Sequence, residues 1–211
     1  LDARVNGETP VRATLAPANA GTAIRVQSND AGGVIQHAGL TKKAQGGTMD
    51  LVLTPIIGAP RGTFDGQFLL ENVRLRNAPI LADLLDAISV VGLLDQLRGP
   101  GIQFSTVDGK FRLTRNQFRL SEMAAVGASL GISASGIYDF RVKKMDFQGV
   151  ISPVYFVNAI GAVVSRRGEG LFGFNYRMTG STDNPRVGVN PLSILTPGIF
   201  RQIFRRSPPR E

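Results

Sequence analysis

"IQFSTVDGKFRLTRNQFRL" (Ile102 to Leu120) decides how this chain is read. Phe111 and Leu113 alternate with Arg112, and Phe118 and Leu120 alternate with Arg119. A period of two is the mark of a half-buried strand, because successive side chains point to opposite faces. The stretch therefore reads as a meander. Asp108-Gly109 reads as one tight hairpin turn and Arg115-Asn116 as a second. Arg112 and Arg119 face away from the phenylalanines, so the aromatic rings belong to a core face and not to a platform for stacked bases. Nucleic acid is not expected as a partner.

The same rhythm runs outward in both directions. In "LFGFNYRMTG" (171–180), Phe172, Phe174, Tyr176 and Met178 share one face. "ASLGISASG" (128–136) puts Leu130, Ile132 and Ala134 opposite Ser129, Ser133 and Ser135. "MDFQGVI" (145–151) places Met145, Phe147 and Ile151 together. Val11 to Leu15, Thr22 to Gln27 and Gly47 to Leu53 are further strands. "GQFLLENVRL" (66–75) echoes "GKFRLTRNQFRL" (109–120), which is either a repeat or what any antiparallel meander produces.

Four stretches break the alternation and read as helices, near 30–40, 79–98, 153–164 and 196–206. Asp30 is placed to cap the first, although Gly32 and Gly33 weaken it. Pro79 opens the clearest, with Leu81, Leu84, Leu85 and Ile88 three and four apart. Its apolar phase shifts beyond Gly92, so a bend and a second short helix ending at Gly99-Pro100 are expected. In the last, Thr196 and Pro197 form a helix start. Ile199, Phe200, Ile203 and Phe204 then make one stripe, with Arg201, Arg205 and Arg206 outside it. The stripe either docks on the sheet or lies on a membrane with its arginines at anionic headgroups. The 211 residues contain no linker-like run, so one continuous domain over 1–211 is expected.

The composition excludes much chemistry. There is no cysteine, hence no thiol nucleophile, thiolate site or disulfide, and His37 is the single histidine. "GISASG" lacks the glycine that a nucleophile elbow needs two residues after its serine. "NDAGG" has helix-start glycines but no P-loop lysine and no dinucleotide spacing. Asp139 and Asp146 around Lys143 and Lys144 read as a salt-bridged turn, with too few oxygen ligands for a metal. No enzyme activity, cofactor or metal is expected. Lys and Arg outnumber Asp and Glu by 24 to 16, a net +8 that favours anionic surfaces without choosing among them. No signal peptide and no bilayer-spanning apolar run is found, and a soluble piece of a longer protein is expected.

In their order and spacing, four segments resemble the C-terminal region of AsmA-like envelope proteins, which include TamB-type relatives. They are "NDAGGVIQHAGLTKKAQGGTMDL", "NAPILADLLDAISVVGLLDQLRGPGIQFSTVDGKFRL", "GASLGISASGIYDFRVKKMDFQGVISPVYFVN" and "GEGLFGFNYRMTGSTDNPRVGVNPLSILTPGIFRQIF". The shortened, basic "AIGAVVSRRGEG" departs from the family pattern. The resemblance implies a mainly β fold: an elongated, curved, groove-like antiparallel sheet with a few covering or capping amphipathic helices. It also implies a periplasmic location, an inner-membrane anchor upstream, and a part in moving phospholipid toward the outer membrane. Phe104, Phe111, Phe118, Leu130, Ile132, Phe147, Phe172 and Phe174 are then the expected lipid-lining residues. The alternative is a docking module for outer-membrane biogenesis that holds an envelope protein partner by a sheet edge or its helices. Phe111→Asp and Phe174→Asp are expected to damage the domain or its lipid binding, and Arg112→Asp to be tolerated.

Overall fold

The computed structural model describes residues 2–5, 8–39, 41, 43–89, 91–153, 173–181 and 184–190. Strands β1 (Asp2–Val5), β2 (Thr9–Ala18) and β3 (Gly21–Ser28) lead into helix α1 (Ala31–His37). Strands β4 (Ala44–Gln45), β5 (Thr48–Pro55) and β6 (Phe64–Leu75) follow, then α2 (Pro79–Ala87) and α3 (Val91–Arg98). The rest is β7 (Ile102–Leu113), β8 (Gln117–Gly127), β9 (Leu130–Asp139), β10 (Lys144–Pro153), β11 (Phe174–Ser181) and β12 (Pro185–Asn190). All twelve strands form one open, curved antiparallel sheet in chain order, except that β4 pairs with β6 alongside β5. Among the described residues, β1 and β12 are its edges. The expected helices at 153–164 and 196–206 lie outside the described residues, apart from Pro153, which is the last residue of β10 and not a helix start.

In an antiparallel sheet, alternate connections leave by opposite margins. The β2–β3, β5–β6, β7–β8 and β9–β10 connections lie on one margin and contain no helix. On the other margin α1 with β4 fills one connection, and α2 with α3 another. The two margins are called here the hairpin margin and the helix margin.

Asp108-Gly109 is not a turn. Both residues sit inside β7, which runs unbroken to Leu113, and the chain reverses instead at Thr114 to Asn116. The reason is steric. Gly109 pairs with Phe68 across β6, and a β-carbon at Gly109 would stand 2.7 Å from Phe68 Cζ. The glycine makes room for a ring.

The α2–α3 pair packs on one face of the sheet. Leu81, Leu84 and Leu85 of α2 and Leu93, Leu94 and Leu97 of α3 are buried with Ile102, Phe104, Ala125, Leu130, Ile151 and Tyr176. The helix breaks earlier than expected, at Ile88 and Ser89, and Gly92 lies within the first turn of α3. Ser89 adopts φ 57°, a left-handed conformation that resets the helical phase. Both leucine stripes then face one sheet.

Helix α1 ends at His37, short of Leu40. The Asp30 carboxylate accepts from the Gly33 N–H at 3.0 Å, as the cap reading expects. Ala31 and Gly32 donate their N–H groups to the carbonyls of Gly47 and Gly46, both at 2.9 Å. Gly32 is required here, because a β-carbon on it would stand 2.6 Å from Gln45 Cα. Ala31, Ala44, Met49 and Val73 make a second, smaller core under this helix.

Candidate functional site

The strand register carries single rows of side chains across the sheet. One row, from β2 to β12, reads Leu15, Ile24, Leu53, Gly66, Phe111, Leu120, Gly136, Phe147, Met178 and Val187. The next row toward the helix margin reads Ala13, Val26, Leu51, Phe68, Gly109, Met123, Ala134, Gly149, Tyr176 and Val189. Every residue in both rows is apolar, glycine or tyrosine. At strand spacing of about 4.8 Å, each row spans on the order of 45 Å. Register shifts between Phe104 and Thr106 of β7 and between Leu120 and Met123 of β8 keep the alternation in phase along these long strands.

Glycines in these rows are filled by rings from the neighbouring strand. Phe111 lies over Gly66, and Phe68 over Gly109. Phe147 lies over Gly136. Tyr176 crosses Gly149 of β10 and donates its hydroxyl to the Ser133 carbonyl of β9 at 2.9 Å. The 66–75 and 109–120 echo acquires a physical meaning from this arrangement. Gly66-Gln67-Phe68 and Gly109-Lys110-Phe111 run antiparallel on adjacent strands, so each phenylalanine covers the other's glycine. The Phe68, Phe111 and Phe118 rings follow one another at 6.2 and 4.9 Å between centroids.

The expected lining residues divide between two environments. Phe104 and Leu130 are buried beneath α2 and α3, and Ile132 and Phe174 pack at the edge of that cluster. These four help to form a packed core. Phe111, Phe118 and Phe147 lie toward the hairpin margin and belong to neither helix-covered cluster. Phe118 and Phe147 are half-buried, as are Phe64, Phe68 and Met178 around them. Phe172 lies outside the described residues, as do Ile199, Phe200, Arg201, Ile203, Phe204, Arg205 and Arg206.

The opposite face is mainly polar and laced by ion pairs between strands. Arg25 forks onto Asp50, Arg112 onto Asp65 and Arg177 onto Asp146, while Lys110 meets Glu122 at 2.8 Å. The Arg25 hydrogen bond holds the Asp50 carboxyl below its ordinary range. Arg112 and Asp65 are directly opposed in register, so an aspartate at 112 would set two carboxylates face to face. This pairing argues against the expected tolerance of Arg112→Asp. The β9–β10 turn differs from its expected form too. Asp139 accepts from the N–H groups of Arg141 and Val142, which lowers its carboxyl pKa, and Asp146 pairs with Arg177; neither engages the turn lysines. A depression of about 780 Å³ lies on this face, lined by Asp50, Gln67, Asp108, Lys110, Glu122 and Gln148 among others. Val52, Leu69 and Ala124 lie among these groups, so the lining is mixed, in contrast to the apolar rows of the other face. β10 departs from the two-faced pattern, since Val150 on the polar side is as fully buried as its neighbour Ile151.

Among the described residues, the single histidine is engaged by its neighbours. His37 Nδ1 donates to the Gly33 carbonyl at 2.8 Å and lies 3.2 Å from Thr9 Oγ1. Gly32 and Gly33, in the first turn of α1, commit their N–H groups to the Gly46 carbonyl and to Asp30, so neither is available to an anion. Among the described residues, no group of three His, Asp or Glu side chains is placed to hold a metal, and no helix is long and apolar enough to cross a membrane. No protein-family model, curated protein or solved structure matches this chain.

Proposed function

We propose that the chain is a non-enzymatic, periplasmic segment of an AsmA-like phospholipid-transport protein, anchored in the inner membrane through a part beyond these residues. Its role is to shelter acyl chains along the apolar rows toward the hairpin margin, while α2 and α3 close the rows toward the helix margin. The supporting observation is the unbroken apolar register from Leu15 to Val187, which the described helices cover on one side only. A continuous row matters because each acyl CH₂ kept from water is worth about 0.8 kcal/mol. A lipid sliding across the strands keeps that contact at every step.

Native mass spectrometry of the purified chain tests this reading. Bound phospholipid, reduced by Phe118→Asp and Phe147→Asp in protein that remains folded, is the expected result. A chain that carries no phospholipid, and takes none up from vesicles, would remove the proposal. The sheet edges support a second reading. β1 and β12 each have one strand neighbour in the described sheet, so either edge could accept a strand from an envelope protein partner. Lipid-free protein that binds such a strand peptide would favour that docking role.

A further inference from the structure

We infer that the hairpin margin is a seat for an anionic lipid bilayer, made by the β5–β6, β7–β8 and β9–β10 turns acting as one rim. The row Pro55, Phe64, Leu113, Phe118, Tyr138 and Met145 stands directly behind these turns in register, so all three leave the sheet at one level. They are also tied to each other. Arg115 Nε donates to the Arg61 carbonyl at 3.1 Å, joining the first turn to the second. The Phe140 N–H donates to the Asn116 carbonyl at 2.8 Å, joining the second to the third. Asp139 braces the third from within through the Arg141 and Val142 N–H groups.

This braced rim holds large apolar side chains in water. Ile57 is 72% exposed, Val142 59% and Phe140 40%. The same turns carry Arg61, Arg115, Arg141 and Lys143; the one carboxylate bordering them, Asp139 at the end of β9, pairs with Arg141 at 3.5 Å and leaves the turns a net excess of cations. Apolar tips among cations, on turns tied to one another by hydrogen bonds, match the boundary between headgroups and acyl chains of an anionic bilayer. A nucleic acid would use the cations and leave Ile57, Phe140 and Val142 idle, so a bilayer is the occupant that uses both sets.

The inference goes beyond the lipid-shelter reading, and adds to it a route. A lipid drawn over Phe140 and Tyr138 passes at once onto Phe118 and Phe147, since Phe118, Tyr138 and Met145 are register neighbours just behind the turn. The two readings fail separately, because lipid carriage is read by mass spectrometry and seating by vesicle binding.

The test uses sedimentation with phosphatidylcholine vesicles, with and without phosphatidylglycerol. The chain is expected to bind the anionic vesicles in a salt-sensitive way and to leave the neutral ones. Arg61→Gln/Lys143→Gln is expected to weaken binding roughly tenfold or more. Phe140→Ser/Val142→Ser, which also gives up the Tyr138–Phe140 ring contact, is expected to lose binding in protein that remains folded, and Arg61→Gln/Lys143→Gln to keep its melting temperature. The chain has no tryptophan, which allows a second measurement. Emission from a Phe140→Trp variant should shift to the blue on anionic vesicles, while that from Val91→Trp, at the exposed start of α3, should not. Failure to bind anionic vesicles, undiminished binding by either rim variant, or a blue shift at position 91 in place of 140 would each overturn the inference.

Discussion

A β-carbon at Gly66 would stand 2.2 Å from Cζ of Phe111, far inside van der Waals contact, and the obstacle is an aromatic ring held among other rings. Phe111 is almost fully buried and cannot swing into solvent without exposing its own surface. Gly66→Ala is therefore expected to cost about 1–3 kcal/mol by overpacking. The cost should shrink when Phe111→Leu is introduced beside it, because the leucine leaves the space over residue 66 open. Urea unfolding of the two single variants and the double variant measures this coupling. Strictly additive losses would show that the ring is not what excludes a side chain at 66. The same reasoning explains why Asp108-Gly109 misleads a reader of the sequence. Asp-Gly is a strong local turn signal, but the need that placed glycine there is the ring of Phe68, forty-one positions away, and no local pattern carries it.

At the scale of elements, α2 and α3 do for the sheet what a second sheet does in a sandwich: they remove one side of an apolar face from water. Leu85 lies at the centre of that contact and is fully buried, whereas Val91, at the start of α3, is 64% exposed. Leu85→Ala is expected to destabilise by about 2–5 kcal/mol through the lost contact and the cavity it leaves. Val91→Ala should change stability by no more than about 0.5 kcal/mol. Thermal or denaturant unfolding of both variants checks the pair, and equal losses would mean that the helices do not pack on the sheet through this face. These leucines were legible in the sequence, because spacing of three and four is a local pattern. So was the alternation that put Phe111, Phe118, Phe147 and Phe174 on one face. The division of that face into a helix-covered side and a hairpin side was not legible. It follows from which connections fall on which margin, and that is decided by the strand order of the whole sheet. The break at Ser89 was hidden for a related reason, since a serine in a left-handed conformation carries no glycine to mark it.

Over the whole molecule, a sheet that is open among the described residues cannot be equally stable everywhere, since its two helix-covered cores, which meet at Leu75, draw on different strands and leave the β1 edge outside both. The larger core draws on β7 to β11, where Ile102, Phe104, Ala125, Leu130, Ile151 and Tyr176 are all buried. The smaller one draws on β4, β5 and β6 beneath α1. β1 and β2 contribute no buried apolar side chain to either: Asp2, Ala3 and Arg4 are exposed, and Thr9 is the one buried residue of β2. Their outer pairing, like the exposed Arg12–Asp2 ion pair that spans it, is open to water. Local opening free energy scales with the apolar surface an element buries, so the sheet should open from its β1 edge inward. Native-state hydrogen exchange resolved by peptide is the measurement. Amides of β1 and β2 are expected to exchange first, those of β5 and β6 next, and those of β7 to β10 last, near the global unfolding limit. Protection of β1 and β2 equal to that of β8 and β9 would show that the edge is held by something other than the side chains it buries.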